Sequence, residues 1–490
     1  MKARRLLHAC CLAAACGLTG DVPAQTLVEK PRPAPSLPTH PAGAIYDSDP
    51  RHLWNRLHAA FYRRDVEEAG KQQPYTLGPA VLDPPLGLHS RYLLDPVPFA
   101  LCDSVLDEFA RARGAELFTD PLKRVMLQRD LWAVFDLLQP ENASNGDRNF
   151  GDAPPPYTPA HQENRAKLSR KLAGAIAALA LSRAQCERLP DTYALAVQSG
   201  AFPANPKDAA PQAKADYLPA DLFTAESPWL EATASAAPPH HTSLVDRRSV
   251  IRIFYRPPPD PSGAAKFAAW ILERQRLKAA IDPANHEAIF QAGNLEWERL
   301  RQGVPAGTQF LLLRQLIAID EQWNLIPTRI VESVQVRVFQ PALAEKELLA
   351  PAIMPEHLAT FVRQSAQLFE EFELDRARLF RGESGGLHPV AAGETRLMGY
   401  TGLGRLATDR QGRGSGLVPF PFACAICHTD EKAAAAKRHS PMRIMSLESV
   451  EQLLPFPWKN TAATSTIEGK RTDSSFQKLR DLATAPGTGK

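Results

Sequence analysis

The chain has 490 residues, 44% of them apolar and 23% charged, a balance that excludes wholesale disorder. Its formal charge of +3 forms no basic stripe, so nucleic-acid binding has no electrostatic footing. Proline is in excess, 44 residues or about 9% against an ordinary value near 5%, which disfavours long uninterrupted helices and a large regular repeat array.

The N-terminus has the pattern of a secretory signal over residues 1–24. Lys2, Arg4 and Arg5 precede an apolar stretch from Leu6 to Leu18, and Val22-Pro23-Ala24 offers a small-residue cleavage site before Gln25. That stretch is shorter than the ~20 residues a bilayer span requires; a short buried N-terminal helix is the structural alternative. Ala13-Ala14-Ala15-Cys16 is similar to a lipoprotein cleavage box, with Leu12 one position out of register. The expected product is therefore exported to a periplasm, either untethered or held by a lipid anchor at Cys16. No later stretch approaches a transmembrane span. Cleavage after Ala24 leaves Cys102, Cys186, Cys424 and Cys427. Cys102 and Cys186 either close a loop of roughly 85 residues as a disulfide, worth about 4–5 kcal/mol, or remain two buried thiols in separate helices.

Residues 25–50 are polar and proline-rich, as in an extended linker. A helical region follows over 51–200. Asp120 and Pro121 predict a helix start; Leu122, Val125, Met126, Trp132, Phe135 and Leu138 continue at helical spacing, and Pro140 ends the run. A second helix is predicted from about Gln162 to Glu187. Residues 201–245, rich in alanine and proline, read as a connection. An α+β region is predicted over 246–384, with strands near 249–255, 310–319 and 326–339 and a helix over about 262–280. Val334, Val336 and Val338 alternate with Gln335 and Arg337, the period of a half-buried strand. From Pro355 to Gly382 the spacing of Leu358, Phe361, Phe369, Phe372 and Leu379 predicts an amphipathic helix with Glu370, Glu371 and Glu373 on its solvated side. The fold class expected is α+β, predominantly helical, with a small antiparallel sheet and a C-terminal haem-binding segment at 385–490.

That last segment carries the chemistry. Cys424-Ala425-Ile426-Cys427-His428 places two thiols three positions apart with an imidazole beside the second. This C-x-x-C-H order is a haem-attachment pattern: each thiol adds to one vinyl group and the histidine binds the iron from below. A zinc site from Cys424, Cys427, His428 and His439, or a redox C-x-x-C disulfide, are the competing readings. Over these residues the chain resembles the c-type cytochromes. The resemblance implies one covalent haem c held by Cys424 and Cys427, with His428 as proximal ligand. Met442 is the first choice for the distal ligand, with Met445 or His439 as alternatives; Met398, His388 and a vacant position also stay open.

The chain departs from the usual small cytochrome domain, because Leu417-Val418-Pro419-Phe420-Pro421-Phe422 cannot form the helix that ordinarily leads into the motif. Phe420, Phe422, Leu453, Leu454, Phe456 and Trp458 are candidates for the haem wall. His240-His241 reads as a solvated loop pair. No P-loop, dinucleotide fingerprint, Gly-x-Ser-x-Gly or His-Glu-x-x-His occurs. The expectation is electron transfer to an unidentified redox partner protein, a carrier before a catalyst. A haem peroxidase or oxidase with an open distal site, or a haem-based sensor, are the alternatives.

Overall fold

The computed structural model describes residues 44–68, 71–76, 93–139, 157–203, 217–231, 249–280, 305–339, 366–390, 397–401, 416–420, 440–441 and 467–485. Among these helix outweighs strand and most strand pairs are antiparallel, a mixed α+β fold.

The first half is built on α1 (Leu53–Tyr62), α2 (Pro96–Arg111), α3 (Pro121–Leu137), α4 (Pro159–Ala178), α5 (Arg183–Glu187) and α6 (Thr192–Gln198). Helix α3 starts where its sequence predicts. Pro121 supplies the fixed φ of the first turn and Asp120 accepts the Leu122 amide at 2.9 Å. Every residue from Val125 to Asp136 is buried, so α3 is enclosed on all sides and its polar residues need internal partners. Gln128 finds them in backbone: its amide nitrogen donates to the Ile176 and Ile319 carbonyls, and its oxygen accepts the Ile319 amide at 3.0 Å.

The single helix predicted over Gln162–Glu187 is two helices. Helix α4 opens on a capping box, the Thr158 hydroxyl accepting the His161 amide and the His161 ring accepting that of Thr158. It stops at Ala178. Ser182 and Gln185 form a second reciprocal cap that starts α5, and Leu181, just before Ser182, bridges to Asp320. Cap chemistry inside an apolar run interrupts it.

Two sheets are present among the described residues. In the four-stranded sheet, β1 (Arg63–Glu68) follows α1 without a loop and pairs antiparallel with β2 (Lys71–Thr76). The other sheet takes β3 (Leu230–Glu231), β4 (Ser249–Arg256), β5 (Gln309–Ile319), β6 (Leu325–Phe339) and β7 (Ala366–Leu374), with α7 (Pro261–Ala280) between β4 and β5. After β7 come α8 (Arg376–Phe380) and β8 (Leu387–Pro389), which pairs with β7 off the main order, and the edge strand is β11 (Ser440–Pro441). Strands β9 (Leu397–Thr401) and β10 (Gly416–Phe420) complete the four-stranded sheet, in order β2-β1-β10-β9, with β10 parallel to β1 at Val66↔Leu417. The larger sheet runs β11-β7-β6-β5-β4-β3. Strands β4, β5 and β6 and helix α7 lie where the sequence predicts them. The turn after β5 is tied by Asp320, whose carboxylate accepts the amides of Gln322 and Asn324 at 2.9 and 2.7 Å.

The amphipathic helix predicted over 355–382 is corrected here. Residues 366–374 are strand β7, with Phe372 opposite Val334 and Gln367 opposite Phe339, and only Arg376–Phe380 is helical. Residues 355–365 lie outside the described set. Glu370 and Glu371 are buried rather than solvated, and Gln335 donates to Glu371 at 3.5 Å. The ladder offered by β6 overrides the local helix preference of Glu and Leu. The sheet is likewise larger than the small one predicted, because short strands from unpatterned segments join its edges.

The β5–β6 ladder slips between Arg314 and Gln315, whose partners are Ser333 and Val331, so Glu332 has no register partner. A bulge of this kind re-aims a side chain, and the Glu332 side chain is enclosed. One apolar core runs from Ile45 to Leu479 and takes residues from the helices, the larger sheet and the terminal helix α9 (Ser474–Thr484). Tyr255, Phe267, Ile271, Phe310 and Phe339 form a smaller aromatic cluster under α7.

Candidate functional site

The motif residues Cys424, Cys427 and His428 lie outside the described residues. So do Met442, Met445 and His439, the wall candidates Phe422, Leu453, Leu454, Phe456 and Trp458, and the lipid-anchor candidate Cys16. The described strands nevertheless frame the motif along the chain. Strand β10 ends at Phe420, shortly before Cys424, and β11 ends at Pro441, directly before Met442. Residues 421–439, which hold the motif, lie between these two strands in sequence and outside the described residues. The approach to the motif is a strand, in keeping with its prolines. Of the upstream ligand candidates, Met398 lies on β9, and His388 lies on β8 with Nδ1 3.0 Å from the Glu373 carbonyl.

Cys102 and Cys186 are both buried thiols, not a disulfide. The Cys102 thiol on α2 donates to the Ala60 carbonyl at 3.3 Å, and burial pushes the Cys186 thiol on α5 up to about 11. No group of three or more His, Cys, Asp or Glu side chains among the described residues is arranged to hold a metal ion.

What the described residues do assemble is a buried ionic cluster on α3. Arg129 Nε donates to Glu332 at 2.6 Å with both side chains fully enclosed, and the Ser249 hydroxyl on β4 donates to the second Glu332 oxygen. Asp130, one residue on, accepts Arg376 of α8 on one oxygen and the Tyr46 hydroxyl on the other, the latter at 2.5 Å. His58 on α1 stands 4.0 Å from that second oxygen and stacks on Tyr62, ring centroids 4.3 Å apart at 7°. The Tyr62 hydroxyl donates to the Asp130 carbonyl at 3.3 Å. Two guanidinium groups thus balance two carboxylates, which is the condition for keeping charge in a dry interior.

The environment sets each proton. Burial, with Asp130 adding to it, raises the Tyr46 phenol well above its ordinary range. Burial, with Arg376 adding to it, holds the His58 imidazole well below its own. Burial raises the Asp130 carboxyl against the pull of Arg376; burial also opposes the charge on Arg376, and Asp130 outweighs that opposition. A second buried pair fixes α9 to α3: Lys470 donates to Asp136 at 3.3 Å, and the Ser475 hydroxyl donates to the same carboxylate at 3.0 Å.

Sequence reasoning did not single out this cluster. One signal was present. Arg129 falls on the apolar stripe of α3, seven residues after Leu122 and three after Met126, where an unpaired charge has no place. The other members of the cluster come from residues 46, 58, 249, 332 and 376, and no local pattern links those positions.

Comparison with protein-family models, with curated proteins and with solved structures returns no match for this chain.

Proposed function

We propose that the protein is an exported electron-transfer protein similar to the c-type cytochromes. It carries one covalent haem through Cys424 and Cys427, with His428 on the iron. The observation that carries this reading is the order Cys-x-x-Cys-His in a chain that opens on a secretory-signal pattern. The donor set suits the group. Two thiols at this spacing reach both vinyl positions of one porphyrin edge, and the adjacent imidazole turns beneath the ring. Cys102 and Cys186 are sealed in helix packing and are not candidates for haem attachment.

Bound haem supplies an iron that cycles between two oxidation states. The chain's own part is to hold it and set its potential. Met442, directly after the edge strand β11, is the favoured distal ligand, with Met445 and His439 behind it. A thioether there raises the potential and a second imidazole lowers it.

The variants give the test. Protein exported in a host competent for c-type haem attachment is expected to show a six-coordinate, low-spin absorbance spectrum. Cys424→Ser or Cys427→Ser leaves one thioether and shifts the pyridine haemochrome band. His428→Ala abolishes the low-spin spectrum, and Met442→Ala removes the far-red methionine–iron band. Zinc in place of haem overturns the reading. A high-spin spectrum that responds to peroxide or carbon monoxide overturns electron transfer and moves the function to catalysis or sensing.

A further inference from the structure

Asp130 is the junction of three segments distant in sequence. One carboxylate oxygen accepts Arg376 of α8 and the other accepts the hydroxyl of Tyr46, near the start of the described chain. His58, 2% exposed on α1, faces the second oxygen from 4.0 Å. Its Nε2 has no hydrogen-bond partner among the described residues. The titratable and charged groups around the imidazole are Tyr62 on its own helix, Tyr46 from the lead segment, Asp130 from α3 and Arg376 from α8.

With His58 neutral, the charges on Asp130 and Arg376 cancel. A proton on His58 changes two things. It leaves one net positive charge in a site closed to water, which low polarity penalises. It also creates a cationic N–H next to a carboxylate oxygen already committed to Tyr46. We propose that this junction is an acid-operated latch, in which protonated His58 takes the Asp130 oxygen from Tyr46, freeing residues 44–50 from α3, and as a second cation repels the Arg376 guanidinium, loosening α8. The proposal stands independently of the haem reading.

The consequence for both ends of the chain follows from connectivity. Tyr46 comes just after the proline-rich stretch, and Arg376 lies on the last helix before residues 385–490. Opening the latch therefore acts on the described residues that adjoin these stretches, 44–50 and 376–380. The sign follows from the depressed affinity of closed His58 for a proton. Below about 6.5, the ordinary histidine value, the open form takes up a proton that the closed form refuses. The closed-to-open ratio therefore falls with falling pH, by at most about tenfold per unit for one proton.

Amide hydrogen exchange on the full-length protein tests this, at about pH 7.5 and about pH 5.5, corrected for intrinsic rates. The amides of Ile45 and Tyr46 are held by the Asn55 side chain at 3.1 and 2.8 Å, and those of Leu379 and Arg381 close α8. These four should lose protection in acid while β5 and β6 keep theirs. In His58→Phe, whose ring keeps the stack on Tyr62 and takes no proton, the acid loss should vanish. An equal loss in His58→Phe, or no loss in the native protein, overturns the latch. Should His58→Phe not fold, the native protein still decides. The His58 ring resonance and the exchange of the Ile45 and Tyr46 amides must titrate with one midpoint, and separate midpoints overturn the proposal.

Discussion

Glu332 is where one residue does most to fix the interior. The slipped register in the β5–β6 ladder turns its carboxylate inward, onto Arg129 at 2.6 Å and the Ser249 hydroxyl. Removing one member of an enclosed pair leaves the other charge facing an apolar interior, a loss of roughly 3–5 kcal/mol. Glu332→Gln should therefore lower the free energy of urea unfolding by an amount in that range, read as a lower midpoint at unchanged slope. Arg129→Met combined with Glu332→Leu should recover most of it. A Glu332→Gln unfolding free energy within about 0.5 kcal/mol of the native value would mean that the pair is solvated after all. Nothing local in the sequence announces this residue; its inward turn belongs to a bulge, and a bulge is a relation between two strands.

At the scale of elements, legibility followed the range of the information. Helix α3 was readable because Asp120 and Pro121 are a local start signal, and strands β4 to β6 were readable from β-branched alternation. Helices α4 and α5 read as one because the Ser182 cap competes inside an apolar run. Strand β7 read as a helix because Phe369 and Phe372 satisfy helical spacing, and only the presence of β6 beside them decides otherwise. The turn after α8 offers a test of how elements dock. Gly385 sits at φ +59°, and a Cβ there would stand 2.0 Å from the Thr192 carbonyl of α6. Gly385→Ala combines left-handed strain with a backbone clash and should cost roughly 2–4 kcal/mol in urea unfolding. A neutral result would show that this turn does not rest on α6.

At the scale of the molecule, the enclosed phenols predict its alkaline behaviour. Burial raises Tyr46, Tyr193 and Tyr217 above the ordinary tyrosine range and takes Tyr255 up to about 12. Groups raised in this way contribute stability that is fully present below about 10, the unfolded value, and is lost as pH rises through the folded values. Ultraviolet titration of phenolate should leave these four silent near pH 10, and their ionisation should coincide with unfolding. Ionisation of all nine tyrosines at about 10 with the fold intact would contradict the burial described.

The fold class was legible at the same scale: a mixed α+β body, with sheets larger than the alternation pattern alone indicated. The proposed haem chemistry rests on five residues, Cys424 to His428, because the pattern that suggests it is one of local spacing. The ionic cluster was hidden because it is assembled across the whole body. No helix among the described residues is long and apolar enough to cross a membrane.

The intact mass of the exported protein under denaturing conditions tests the central claim most directly. The account predicts a polypeptide processed near Ala24 and heavier by one haem, with the added mass abolished in a Cys424→Ser, Cys427→Ser double variant. A mass equal to the bare polypeptide, from a host that attaches haem to other exported proteins in the same culture, would contradict it.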